Sequence, residues 1–496
     1  VVVAGPVDQA GLDILSQVAQ VDQRIGLSGD ELVGIIGEYD GLMIRSGTQV
    51  TATVIAAANR LKIIGRAGVG VDNVDVPAAT QRGVLVVNSP EGNTIAAAEH
   101  ALAMMLSLSR HVPQANAGMR AGKWDRKKYV GNELYKKTLG VVGLGKIGSH
   151  VAKVAQAMGM DVIAYDPFIA ADRAKQMQVK LIELDELFRT ADYVTLHIPR
   201  TKDTENLVNA DLLRTMKPTA RIVNCARGGV VDEAAISEAI NQGVIAGAGL
   251  DVYASEPLAE DSPLRAVERG LVLTPHLGAS TEEAQENVAI DVAEQIRDVL
   301  LGLPARSAVN IPGLSAEIME RLKPHLQLSE TVGLLVSQLA GGHVKEMELR
   351  LQGEFASHPS QPLVIAALKG LLSAALGDSI NFVNASLEAK ARGIQVLEVK
   401  DESSRDFAGG SLQITTRGDQ GDRCVTGAVF ADGELRITSI DEFPVNVSPS
   451  RHMLFTRHRD MPGIIGHLGS MMGEHNVNIA SMQVGRKIVR GDAVMV

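Results

Sequence analysis

Apolar positions in the first 88 residues fall in short runs, Val1-Val2-Val3, Gly41-Leu42-Met43-Ile44, Lys62-Ile63-Ile64 and Val84-Leu85-Val86-Val87, separated by longer mixed stretches of helical period. Short apolar runs alternating with helical segments predict a parallel sheet whose strands are buried on both faces. Residues 93–110 are rich in Ala and Leu with few breakers and predict a long helix. A second series starts at Leu139-Gly140-Val141-Val142 and continues through residues 161–165, 193–196, 221–224 and 246–251. After Thr274-Pro275-His276 a helix is expected from Glu282 to about Leu301, stopped by Gly302 and Pro304. If it returns the chain to the first sheet, the second α/β unit is an insertion within the first. From 305 to 449 the texture becomes helix followed by β-rich sequence, with Asp432-Gly433 as a hairpin-turn signal between residues 428–430 and 435–437. The last segment reads as strand, helix (Ile464 to Glu474), strand, strand. The expected units are therefore 1–93 with 282–304, then 94–281, 305–450 and 451–496.

Composition narrows this picture without changing it. The chain has 496 residues, 45% hydrophobic and 21% charged, enough for several cores of a globular α/β protein. A net charge of −10 argues against a general nucleic-acid surface and leaves room for a local anion site. Charged residues break each long apolar stretch, Glu99 and His100 in one and Lys369 in another, so no membrane segment is expected. Two cysteines, Cys225 and Cys424, do not suggest a disulfide framework and fit a reducing compartment. The expected location is cytoplasmic, or a plastid if a transit peptide precedes Val1.

Candidate chemistry begins at Gly143-Leu144-Gly145-Lys146-Ile147-Gly148, between a predicted strand and an Ala-rich helix. In that context Gly143 allows the tight turn, Gly145 lets a pyrophosphate approach the backbone, and Gly148 brings the helix against the strand. Asp166 ends the next predicted strand, where a carboxylate can accept from ribose hydroxyls and repel a 2′-phosphate, which favours NAD. A glycine pattern alone is more often a turn than a cofactor site, and by itself it leaves FAD or another nucleotide open. Three further elements lie at predicted strand ends: Cys225-Ala226-Arg227-Gly228-Gly229, Asp251 to Pro257, and Thr274 to Thr281. Oxidation of a secondary alcohol needs a base, a hydride acceptor and a cation for the carboxylate and nascent carbonyl. His276 suits the first role and Arg227 the last, with Glu256 orienting the imidazole. Singly, each residue reads as an ordinary strand-end or loop side chain; their order and spacing carry the signal.

With these motifs the sequence resembles the D-isomer-specific 2-hydroxyacid dehydrogenases, over nearly the whole chain. The resemblance implies two Rossmann-like or flavodoxin-like parallel-sheet domains, the nucleotide domain inserted in the substrate domain. It adds an α+β intervening domain and a ferredoxin-like ACT domain, the latter incomplete. The family's catalytic set falls on Arg227, Glu256 and His276. Its NAD contacts fall on Val69, Gly143, Gly145, Lys146, Ile147, Gly148, Asp166, Ile198, Cys225, Ala226, Arg227, Asp251, His276, Leu277, Gly278 and Ala279, and no metal is implied. The motif Gly65-Arg66-Ala67-Gly68-Val69-Gly70-Val71-Asp72-Asn73-Val74-Asp75 is closest to members that act on a phosphorylated hydroxy acid. Substrate anion contacts are then expected at Arg45, Ser46, Gly47, Arg66 and Asn93, with Arg126-Lys127-Lys128 as a further basic cluster. An L-serine effector would meet His458, Asp460 and Asn478, where Asp460 replaces a related enzyme's Asn. The resemblance also implies a homodimer or homotetramer. Two other readings share the Arg, Glu and His set: a glyoxylate, hydroxypyruvate or D-lactate-type reductase, and an NAD-sensing corepressor-like interaction protein.

Overall fold

The computed structural model describes residues 1–311, 316–402, 410–430 and 433–496, with backbone alone for 316–320. Five strands, β1 (Val2–Val3), β2 (Asp22–Gln23), β3 (Gly41–Ile44), β4 (Ile63–Arg66) and β5 (Leu85–Asn88), form an all-parallel sheet in the order β2-β1-β3-β4-β5. That is the flavodoxin-like order. The helix Glu282–Leu300, capped by Thr281 Oγ1 accepting from Ala284 N at 3.1 Å, lays Val288, Ala289, Val292 and Ile296 on one face of this sheet. Gly65 of β4 makes the approach possible, since a Cβ there would lie 2.5 Å from Val292 Cγ1. The chain thus leaves the first sheet after β5 and returns to it only with this helix. Residues 305–310 then run along β5, where Asn310 accepts from Val86 N (2.9 Å) and donates to Val84 O (2.9 Å), covering an edge that would otherwise be unpaired.

Between these two visits lies a seven-stranded parallel sheet. Its strands are β6 (Thr138–Val142), β7 (Asp161–Tyr165), β8 (Lys180–Leu181), β9 (Tyr193–Leu196), β10 (Arg221–Asn224), β11 (Gly247–Leu250) and β12 (Leu271–Leu273). Their order, β12-β11-β10-β9-β6-β7-β8, is the doubly wound Rossmann order, reversing between β6 and β9. Central strands β9, β10 and β11 are buried at every residue, which explains why the sequence shows apolar runs there rather than alternation. Helix Thr94–Arg110 covers one face through Ala98, Ala101, Met105 and Leu108.

The third unit is a six-stranded mixed sheet of β13 (Val344–Gln352), β14 (Gln395–Asp401), β15 (Ser411–Gly418), β16 (Arg423–Val429), β17 (Leu435–Ile440) and β18 (Phe443–Val447). Strand β14 pairs parallel to β13 at one edge and the rest are antiparallel. The β16–β17 hairpin is present where the turn was expected; Gly433 has φ +81°, and Asp432 lies outside the described residues. Helices Ala316–Ala340 and Ser360–Leu376 touch backbone to backbone: a Cβ at Gly370 would lie 2.0 Å from Glu330 O, and one at Gly333 2.2 Å from Ala367 O. Together with the turn that follows it, the second helix is long and apolar enough to cross a membrane, and 56% of that stretch is buried inside the protein. The tail is a three-stranded antiparallel sheet, β19 (Thr456–Arg459), β20 (Val484–Arg486) and β21 (Asp492–Met495), in the order β19-β21-β20. Its helix Ile464–Glu474 has no buried residue.

Candidate active site

The glycine turn sits at the carboxyl end of β6, at the reversal point of the strand order, where doubly wound sheets bind ligands. Gly143 has φ +91°, and a Cβ there would lie 2.5 Å from His197 O and 2.8 Å from Ile198 Cγ2. At Gly148 a Cβ would lie 2.0 Å from Gly143 O, so only glycine lets the helix Lys146–Ala157 start this close to the turn. Gly145, the N-cap, has open space in front of it, and no side chain caps the helix. Unpaired N–H groups at an open helix N-terminus form a ready anion cradle, which fits a dinucleotide pyrophosphate. Asp166 Oδ2 accepts from Leu144 N (2.8 Å) and Oδ1 from Phe168 N (2.9 Å), so the carboxylate fastens the turn and keeps lone pairs for a ligand hydroxyl. Lys146 makes an ion pair with Glu91 across to the first sheet's side. Ile147 is partly buried against the core under the turn.

His197, which crowds Gly143 through its carbonyl, is half-buried, and desolvation pushes its pKa down to about 4. It is therefore neutral in the native state at pH 7, with Nε2 3.0 Å from Thr195 Oγ1. The unfolded chain takes up a proton there below pH 6.5, so this contribution to stability is full above 6.5 and shrinks as pH falls toward 4. Denaturant midpoints should decline over that window, and the His197→Gln protein should show a shallower decline; identical slopes would refute the assignment.

At the end of β10, Asn224 Oδ1 accepts from Ala226 N and Nδ2 donates to Arg227 O, both at 3.0 Å, shaping the loop that carries Cys225, Ala226 and Arg227. Gly228 brings this loop against the next, since a Cβ there would lie 1.7 Å from Tyr253 O. Burial, with Asp251 nearby, raises the Cys225 thiol far above its usual range, so it is a neutral wall of the site. Asp251, 1% exposed at the end of β11, is fully engaged. Its Oδ1 accepts from Thr274 Oγ1 (2.6 Å) and Leu277 N (2.7 Å) and lies 3.2 Å from His100 Nε2; Oδ2 accepts from Gly278 N (2.8 Å). Burial opposes its ionisation, but the hydrogen bonds from His100, Thr274 and Leu277 N win and hold its pKa below the usual carboxylate value. Asp251 thereby fixes the loop of His276, Leu277, Gly278 and Ala279.

His276 adopts φ +57° on that loop, and its Nδ1 lies 2.6 Å from Glu256 Oε2. Glu256 Oε1 accepts from Tyr253 N at 3.1 Å. Burial raises the Glu256 pKa, yet the bonds from His276 and Tyr253 outweigh it, and the group stays ionised below its usual range. A carboxylate only accepts, so Nδ1 carries the proton and Nε2 is left with a lone pair for a substrate hydroxyl.

The first sheet contributes cations from the other side of the cleft. Arg66, at the end of β4, has its pKa pushed down to about 10 by burial and then by the nearby charges of Arg227 and Arg45; Arg45, after β3, is lowered by burial. Arg66 Nε, Ser89 Oγ, Asn93 Oδ1 and Thr94 Oγ1 are buried and have no partner among the described residues. Desolvated guanidinium and hydroxyl groups without partners mark a place built for a polar ligand. Ser46 and Gly47 are exposed beside Arg45, and Val69 O accepts from Asn88 Nδ2 at 2.5 Å. Arg126, Lys127 and Lys128 lie in an exposed turn of helix with no residue of this cleft among their described hydrogen-bond or ion-pair partners.

Of the tail residues, Asp460 accepts from Arg486 Nη1 (2.7 Å) and Arg490 N (3.1 Å), bonds that hold its carboxyl below the usual range. His458 Nδ1 is buried without a partner among the described residues. Asn478 is exposed on a different cavity, shared with Leu334, Leu335 and Met495, that neither of the other two lines. Three contributors at the main cleft had no role assigned from sequence: His100, Thr274 and Asp72. His100 stood out only as an interruption of an apolar stretch, and Thr274 and Asp72 only as members of longer motifs; what each contacts is set by distant parts of the chain.

A nucleotide cradle on a Rossmann sheet, facing a His–Glu pair and converging arginines across a cleft, defines the class of two-domain dinucleotide-dependent dehydrogenases. Residues 102–278 match the D-isomer specific 2-hydroxyacid dehydrogenase NAD binding domain, and residues 321–441 the D-3-phosphoglycerate dehydrogenase intervening domain. A D-3-phosphoglycerate dehydrogenase of Synechocystis sp. is 63% identical over all of this chain and 89% of its own length. One from Archaeoglobus fulgidus is 44% identical over 98% of this chain and 92% of its own. The solved D-lactate dehydrogenase of Aquifex aeolicus, complexed with NAD and lactic acid, is 26% identical with a TM-score of 0.55, covering 61% of this chain and 96% of its own. The chain belongs to the D-isomer specific 2-hydroxyacid dehydrogenases, in the branch of the D-3-phosphoglycerate dehydrogenases.

Proposed function

We propose that this protein oxidises D-3-phosphoglycerate to 3-phosphohydroxypyruvate with NAD, the first step of phosphorylated L-serine biosynthesis. The observation that carries the reading is the convergence of Arg45 and Arg66 from the first sheet with Arg227 from the second, beside the His276–Glu256 pair. Arg227 receives the substrate carboxylate and polarises the carbonyl as it forms. Arg45 and Arg66, with Ser46, Gly47 and Asn93, receive the phosphate. His276 Nε2 takes the hydroxyl proton, and Glu256 stabilises the imidazolium that results. The bound nicotinamide supplies the hydride acceptor. Gly143, Gly145 and Gly148 with Lys146 and Ile147 hold its pyrophosphate, Asp166 the adenosine ribose, and Val69, Ile198, Cys225, Ala226, Asp251 and residues 276–279 surround the rest. The free lone pairs of Asp166 and its negative charge favour NAD over NADP.

We further assign 1–93 with 282–304 to substrate binding, 94–281 to the cofactor, 305–450 to the intervening domain and 451–496 to an ACT regulatory domain with L-serine as effector, in a cytoplasmic homodimer or homotetramer. The helix Val112–Arg120 without a buried residue, followed by Trp124 and Val130 at 74% and 78% exposure, supports self-association. Turnover of D-3-phosphoglycerate, D-glycerate and D-lactate should be compared under NAD and NADP, with and without L-serine. D-3-phosphoglycerate with NAD is expected to give the highest kcat/KM; equal or greater turnover of the unphosphorylated acids would instead favour a glyoxylate or hydroxypyruvate-type reductase.

A further inference from the structure

The geometry points to a role for Asp72 as a displaceable counter-ion of Arg227, which a substrate carboxylate must replace in order to bind. The inference rests on the proposed assignment of Arg227 as the carboxylate fork. Arg227 Nε donates to Asp72 Oδ2 at 3.0 Å and Nη1 to Ala226 O at 2.7 Å, so part of the fork a substrate carboxylate needs is already taken. The local backbone is shaped for this contact. A Cβ at Gly70 would lie 1.9 Å from Arg227 Nη2 and 2.7 Å from Asp72 Oδ2, so a larger residue there would push these two side chains out of their present positions. The neighbouring Asn73 is buried and donates to Arg45 O (2.9 Å) and Thr48 O (2.6 Å), tying the Asp72 loop to the Arg45 loop.

The charges explain what the pair does. Arg45, Arg66 and Arg227 repel one another, and Asp72 is the carboxylate acting on this group, favouring the charged form of Arg66. The pair is weak enough to break in each cycle, because the Asp72 side chain is 65% exposed and an ion pair with an exposed partner is screened by water. A substrate carboxylate must replace Asp72 and then tolerate it as a like-charged neighbour. A phosphorylated acid offsets that penalty through Arg45 and Arg66; a monoanionic acid of the same skeleton has nothing to offset it with. Asp72 is in this sense a positioning residue, acting through Arg227.

Oxalate, a dicarboxylate with no phosphate and no oxidisable hydroxyl, tests the idea by calorimetry on the full chain loaded with the nicotinamide cofactor. In Asp72→Asn and Asp72→Ala proteins its Kd should fall about fivefold, the upper end for such a pair. The KM of D-glycerate should fall by about the same factor with kcat little changed. Unchanged or weaker oxalate binding in the variants, with normal binding by the wild type, would mean that Asp72 supports Arg227 instead of competing for it. Oxalate binding to neither protein would overturn the assignment of Arg227 itself.

Discussion

Replacing His276 by alanine should lower turnover by about 10²–10⁴, the usual worth of a positioned base, while the cofactor still binds. Its Nδ1 is committed to Glu256 and its Nε2 is the group left to take a proton. Because His276 sits at φ +57°, alanine also adds backbone strain at that residue. The His276→Asn protein separates the two effects, since Asn tolerates the left-handed region and cannot act as the base. Both variants should be similarly slow, with cofactor affinity measured by calorimetry close to that of the wild type. If Asn restores most of the rate, the loop conformation rather than proton transfer is what alanine removed. Glu256→Gln keeps an acceptor for Nδ1–H and loses the charge, and its rate should fall between wild type and His276→Ala.

The second large effect is expected at Gly148. Gly148→Val places a Cβ about where Gly143 O stands, at 2.0 Å, and both partners are backbone that cannot swing aside. The helix Lys146–Ala157 must shift outward, which costs about 1–3 kcal/mol and pulls the N-terminal N–H groups off the pyrophosphate. Cofactor affinity should fall roughly 5- to 150-fold, the equivalent of that cost. Gly145→Ala is the complementary case. Nothing lies within 4 Å of its Cβ, so thermal stability without cofactor should be near that of the wild type while the dinucleotide is obstructed. A Gly148→Val protein with undiminished cofactor affinity would show that the turn does not set the position of the helix.

Both positions are legible in the sequence. The glycine spacing with Asp166 is a local signal, because turn, helix start and strand end lie within 24 residues of one chain segment. The buried strands β9 to β11 were equally visible, since a strand covered on both faces must be apolar throughout. The roles of His100 and Thr274 were not visible. They meet Asp251 from a helix about 150 residues before it and a strand end about 23 residues after it, and nothing in the neighbouring residues encodes that meeting. The same holds for the packing of residues 305–310 on β5, where the sequence showed only a helix stop and a change of texture.

By itself, the sequence determined the elements, the cofactor turn, the order of the Arg, Glu and His loops, and the resemblance that names their roles. Those features depend on residues close together in the chain, or on steric needs such as a Cβ-free position, that a residue type states directly. Only the tertiary structure decided that Arg45, Arg66 and Arg227 share one poorly solvated space, that Asp72 stands on Arg227, and that Asp251 rather than solvent holds the His276 loop. Charge interactions and burial depend on distance through space and on excluded water, and no local pattern fixes either.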